Sequence, residues 1–204
     1  MLDDDDDGRA RRRGASPAIR AIQTRTLVES LPRLPPAQRE RIASRASPSL
    51  LERARRSFAM AWFPMADHMN FCVVVDDVVG REAFVALQRE AFASAIQTPM
   101  LRGIFGMLSR VSDDSVATLL RNAPRLYGHV TRDIGRLEVT GDGPGRATLE
   151  LSGWPSELFD FDVWLVGTQA CIDTALLGVG ALGTTLELDQ CVPERGFAIY
   201  RVRW

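Results

Sequence analysis

Apolar residues recur at three- and four-residue steps from Ser16-Pro17 onward, at Ile19, Ile22, Thr26, Leu27 and Leu31, until Pro32, Pro35 and Pro36 interrupt them. The spacing predicts a first amphipathic helix from Ser16 to Leu31 and a short charged one over Pro36 to Ala46. A third follows Ser47-Pro48, with Ser47 as cap and Leu50, Leu51, Ala54, Phe58 and Ala61-Trp62 as its buried stripe up to Pro64. Residues 66 to 79 carry two signals. The run Phe71-Cys72-Val73-Val74-Val75 has strand-like β-branching, whereas Asp76-Asp77-Val78-Val79-Gly80 closes like a helix with a glycine stop. We read the segment as a buried helix. Further helices are expected from Arg81 to Gln97 with Phe84, Leu87, Ala91 and Ala95 inward, from Thr98-Pro99 to Val111, and from a cap at Ser112-Asp113-Asp114 towards Val130.

Near Asp133 the hydrophobic period drops from 3.6 to 2. Leu137 and Val139 alternate with polar neighbours, Gly141-Asp142-Gly143-Pro144-Gly145 spells a turn, and Ala147, Leu149 and Leu151 resume the alternation, which is a hairpin. A helix over 160 to 178 follows, apolar on nearly every face except a stripe of Asp162, Gln169 and Asp173. A second hairpin, from Thr185 to Asp189 and from Phe197 to Trp204 around a turn at Pro193 to Gly196, ends the chain. The predicted class is α+β: a helical N-terminal two-thirds, then a ββαββ unit forming a four-stranded antiparallel sheet. Residues 1 to 16, five Asp and then four Arg with almost nothing apolar, are expected to form a disordered tail. Residues 17 to 204 are expected to form one domain, with a helical part to 132 and the ββαββ part after it.

Composition narrows the function. With 25 basic and 26 acidic side chains in 204 residues, there is no cationic surplus to hold nucleic acid or an anionic membrane. Every basic residue is Arg, as in a GC-rich bacterial genome. This removes Schiff-base catalysis and the lysine of a phosphate-binding loop. Cys72, Cys171 and Cys191, odd in number and set among apolar neighbours, read as reduced core thiols of a cytoplasmic protein. The start has no apolar signal segment. Phe161 to Leu182 is long enough to span a membrane, but Asp173 near its middle would cost roughly 3 kcal/mol on insertion, so no span is expected.

Reactive constellations are scarce. His68, beside Asp67, reads as solvent-facing or capping, and His129 as a helix C-terminal residue complementing the dipole. Gly178-x-Gly180-x-x-Gly183 matches a dinucleotide fingerprint only in spacing, because a helix precedes it and a strand follows, the reverse of what phosphate binding needs. The Asp160/Asp162 pair is accounted for by a helix N-terminus, which leaves carboxylate catalysis as a minor reading. Trp62, Trp154, Trp164, Phe159, Phe161 and Phe197 read as core aromatics able to edge a pocket.

The stretch from Trp164 to Gly180, the strand to Cys191, Gly196 and the final Tyr200-Arg-Val-Arg-Trp204 resemble the C-terminal half of 4-vinyl reductase type small-molecule-binding domains. These share a superfamily with haem-nitric-oxide-binding domains and with Bet3-like subunits of vesicle-tethering complexes. The resemblance spans about residues 112 to 204. The whole chain, with Ala123-Pro124-Arg125-Leu126-Tyr127 and Gly135-Arg136, is also similar to uncharacterised myxobacterial families. Zinc-binding relatives carry Glu-x-x-Cys and a second Cys about eight residues later. Here Cys191 can match the first Cys, but Leu188 replaces the Glu and Ile199 or Tyr200 the second Cys, while Glu187 would point to the opposite strand face. Haem-binding relatives carry Tyr-x-Ser-x-Arg, which neither Tyr127 to Thr131 nor Tyr200 to Trp204 reproduces. The resemblance therefore implies the fold and its apolar pocket, with neither zinc nor haem.

The expected function is a cytoplasmic, non-enzymatic, sensory or signalling module that binds a small apolar molecule and works as a homodimer. The alternative is a protein-interaction subunit with the pocket filled. The ligand is expected along one face of the 160 to 178 helix, at Trp164, Cys171 and Ala175, where small residues follow a large one.

Overall fold

The computed structural model describes residues 16–108, 115–141, 143–155 and 160–204. Among these, a helical lobe precedes the sheet, as the change of period predicts. The helices are α1 (Ala21–Ser30), α2 (Pro36–Arg45), α3 (Pro48–Arg56), α4 (Met65–Val79), α5 (Arg81–Ile96), α6 (Pro99–Leu108), α7 (Ser115–Val130) and α8 (Phe161–Gly178). Residues 66 to 79 are helical. The tail, the expected cap at 112 to 114, and Phe159 lie outside the described residues.

The helical lobe also contains strands that the pattern did not predict. Three very short ones, β1 (Ala18–Arg20), β2 (Trp62–Pro64) and β3 (Thr131–Arg132), form an antiparallel sheet in the order β2-β1-β3. The first predicted helix is thus a strand that turns into a helix at Ala21. Ile19 and Ile22 sit at helical spacing by coincidence, and both are buried. The stripe assigned to α3 ends early for the same reason. Phe58 is 75% exposed and Trp62 belongs to β2. Ser47 bonds Ser49 Oγ at 2.7 Å rather than capping the backbone.

The C-terminal sheet follows the alternation. Strands β4 (Arg136–Gly141), β5 (Arg146–Ser152), β6 (Thr185–Val192) and β7 (Phe197–Arg203) are antiparallel in the order β4-β5-β7-β6. Leu137, Leu149, Leu151, Ala198, Tyr200 and Val202 point inward at period 2 and are buried. Between Leu188 and Gln190 the register slips by one residue, leaving Asp189 as a bulge whose carboxylate pairs with Arg201 at 2.8 Å. Gly196 closes the turn with a φ of 56°. A Cβ there would lie 2.2 Å from the Trp154 carbonyl oxygen, so glycine is required by contact as well as by conformation.

Helix α8 is held from both sides. The Asp160 carboxylate accepts from the Val163 N–H at 3.2 Å and caps it. It packs on α5 and α4, and the Tyr200 hydroxyl on β7 donates to the Leu165 carbonyl at 3.0 Å. Its polar stripe is used where it emerges: Arg89 pairs with Asp173 at 2.8 Å, and Gln169 donates to the Leu186 carbonyl at 3.3 Å. Gly178 is its last residue, and Gly180 and Gly183 take positive φ in the turn towards β6. No helix of the described residues is long and apolar enough to cross a membrane.

Candidate functional site

An apolar cavity of about 310 Å³ lies where α8 faces α4 and α7, floored by Leu137, Leu149 and Leu151 of the sheet. It exists because α8 carries small residues on that side: Gly167, Thr168, Cys171 and Ala175 line it next to Trp164 and Ile172. The three positions singled out in the sequence, Trp164, Cys171 and Ala175, therefore lie on one wall of the same space. Trp164 packs edge-on against Trp154, with ring centroids 5.2 Å apart at 73°. Trp154 in turn donates to the Tyr127 hydroxyl at 2.9 Å, and that hydroxyl donates to the Ile134 carbonyl at 2.8 Å. Burial raises the Tyr127 phenol far above its ordinary pKa.

One stretch of wall is polar, and pattern reasoning did not find it. His68, expected at the surface, is 5% exposed on the inner side of α4. Its Nδ1 shares a 2.9 Å hydrogen bond with the Thr24 hydroxyl, and its Nε2 lies 3.5 Å from Cys72 Sγ, which also accepts from the Gln88 amide at 3.5 Å. Desolvation lowers the His68 pKa to about 4 and raises those of Cys72 and Cys171 to about 12, so all three are neutral at pH 7. The His68/Cys72 spacing of four residues was visible in the sequence as one helix face; what could not be seen was that this face points inward against α1 and α5. Thr168 Oγ1 is buried with no hydrogen-bond partner. No Asp or Glu among the described residues lines the space.

Of the remaining candidates, His129 lies in the last turn of α7 and lines the outer part of the cavity. Asp160 and Asp162 stand at the start of α8, the first as its cap. Cys191 on β6 is half-buried and faces Ala198 across the sheet, and no three His, Cys, Asp or Glu side chains of the described residues converge as a metal site. All three cysteines are free thiols.

This architecture, a helical lobe over a four-stranded antiparallel sheet, is a fold shared with H-NOX domains. An oxygen-binding H-NOX domain related to soluble guanylate cyclases, in its oxygen complex, has a TM-score of 0.57 and 12% identity, covering 87% of this chain and 90% of that one. A variant of the T. tengcongensis H-NOX has a TM-score of 0.59 and 11% identity, covering 91% and 96%. The Fe(II) unliganded H-NOX protein from K. algicida has a TM-score of 0.58 and 7% identity, again covering 91% and 96%. No family model and no curated protein matches the chain.

Another neighbour of this fold is described by its haem redox potential, so haem is the group the fold implies. The residues of this cavity do not fit it. Both His68 nitrogens are engaged by Thr24 and Cys72, Cys72 Sγ is shared with the Gln88 amide, and the Tyr127 hydroxyl is committed to the Ile134 carbonyl and to Trp154, so none of these groups is free for an axial bond. His129 lies at the exposed rim. At about 310 Å³ the space is roughly twice a cavity that holds one benzene, far short of a porphyrin of about forty heavy atoms.

Proposed function

We propose that this protein is a non-enzymatic sensory module that binds a small apolar molecule in the cavity between α8, the helical lobe and the sheet, with Trp164, Cys171 and Ala175 as ligand contacts. The observation that carries the reading is an open apolar space of about 310 Å³ whose buried His68, Cys72 and Cys171 are held neutral and which no Asp or Glu of the described residues lines. A hydrocarbon-rich ligand gains roughly 25 cal/mol per Å² of surface removed from water there, and away from Arg20 at the rim it buries no charge of the wall. The same neutrality argues against catalysis: a thiol with a pKa of about 12 is a poor nucleophile and an imidazole with a pKa of about 4 a poor base at neutral pH. The H-NOX-like fold supports a binding role in which the apolar pocket is kept and iron is not. The closer kinship with 4-vinyl reductase type and Bet3-like domains rests on the sequence pattern alone. Cytoplasmic residence and a homodimeric state belong to the same proposal. The rival, an interaction subunit with the pocket filled, is disfavoured by the space left open.

The test is the small-molecule content of the purified protein, released by heat and identified by mass spectrometry, for the wild type and Ala175→Trp. The wild type should carry an apolar molecule; the variant should stay folded at a cost of about 1 to 3 kcal/mol and lose it. A folded variant that keeps its ligand at unchanged affinity rejects this site. A variant that unfolds or aggregates shows solid core there and favours the rival.

A further inference from the structure

Resting on the reading of this space as a ligand cavity, we propose that its ligand is an amphiphile, an apolar chain with a single carboxylate, and that the carboxylate docks on the guanidinium groups of Arg20 and Arg132 at the rim. The small sheet borders this rim through Arg20 and Thr131, which line the cavity, with Arg132 next to Thr131. Arg20 on β1 stands opposite Trp62 on β2, and Arg132 on β3 stands opposite Ala18, two residues along β1 and so on the same sheet face as Arg20. Both cations gather over one ring: the guanidinium carbon of Arg20 is 3.6 Å and that of Arg132 4.9 Å from the Trp62 centroid, which places the two within about 8.5 Å of each other, the sum of those distances.

Arg20 lines the cavity and is fixed there by neutral partners. Its Nε donates to the His129 carbonyl at 2.9 Å and its Nη1 to the Met60 carbonyl at 2.5 Å, and His129 and Met60 line the same cavity. A guanidinium has five N–H groups, so three remain for a further acceptor. Some arginines of the described residues rest on carboxylates, as Arg45 does on Asp77 and Arg81 on Asp76; no acidic side chain of those residues pairs with Arg20, although it is partly buried. Partial burial and the neighbouring Arg132 lower the Arg20 pKa, the mark of a cation short of counter-charge, though an arginine stays protonated. Arg132 has only a loose ion pair with Asp133 at 3.9 Å, and its buried Nε has no hydrogen-bond partner. Two cations and one distant carboxylate leave a deficit of about one negative charge, which suits a monoanion with two acceptor oxygens better than a dianionic phosphate. The cavity would then take the chain of the molecule, on the order of ten heavy atoms by comparison with a benzene-sized cavity.

The experiment is calorimetric titration of the full chain with octanoate and with octan-1-ol, which share a chain and differ in the head group. Octanoate is expected to bind about tenfold more tightly at low salt, with the advantage shrinking as salt is added. Arg20→Gln should remove that advantage, and Arg132→Gln should reduce it. Should Arg20→Gln lose its fold with its ties to His129 and Met60, the wild-type comparison, its salt dependence and Arg132→Gln still decide. Octan-1-ol binding as tightly as octanoate, or an advantage that survives Arg20→Gln intact, overturns the head-group assignment while leaving the apolar cavity standing. If neither ligand binds, the cavity reading falls with it.

Discussion

Acidification should strike this protein first at His68. The imidazole is neutral, 5% exposed, and wedged between the Thr24 hydroxyl and Cys72 Sγ, and its pKa falls from an ordinary 6.5 to about 4 because burial penalises the charged form. The folded pKa is the lower one, so the unfolded chain takes up this proton first. The stabilising contribution is whole above pH 6.5, erodes as pH falls, and is gone near pH 4. At 1.36 kcal/mol for each pH unit between the two values, the loss is about 3 kcal/mol. That is a large share of the roughly 5 to 15 kcal/mol that holds a typical domain folded. Urea unfolding measured from pH 7 to pH 4 on the wild type and on His68→Gln isolates the effect, because every other group is common to both. The wild type should lose about 3 kcal/mol more than the variant across that window. Parallel curves would show that His68 is solvated or already charged, and would remove the argument for an uncharged cavity wall.

Two other changes test the frame around the cavity. Asp160→Ala deletes the cap of α8 and should cost about 1 kcal/mol, read as a lower midpoint in thermal unfolding without loss of far-ultraviolet helicity. Gly196→Ala drives a methyl group against the Trp154 backbone, where contacts of 2.2, 2.8 and 2.9 Å await it, and should destabilise by about 3 kcal/mol or more; a variant within 1 kcal/mol of the wild type would mean that the β6-β7 turn can move away from Trp154.

The C-terminal architecture was legible because each element there is long enough to display its period. Strands of six to eight residues show alternation, and the eighteen residues of α8 show an apolar surface on nearly every face. The small sheet was not legible, because strands of two and three residues contain no full repeat, and Ile19 and Ile22 imitate a helix turn. Trp164, Cys171 and Ala175 could be grouped from sequence because they share a helix face, and they line one space. The polar wall escaped because Thr24, His68, Cys72 and Gln88 come from three helices, and only packing decides that the Asp67-His68-Met69 segment turns its histidine inward. The rim escaped for the same reason: Arg20, Trp62 and Arg132 are far apart in sequence and meet only through the register of the small sheet.

The most direct test of the account is whether the space between α4, α7 and α8 is open in the protein. A crystal of the full chain pressurised with xenon should show the gas beside Cys171 and Ala175, because an apolar cavity of about 310 Å³ readily admits an atom that gains from dispersion contacts and needs no hydrogen bond. Side chains filling that space, with no xenon between α8 and the helical lobe, would contradict the account.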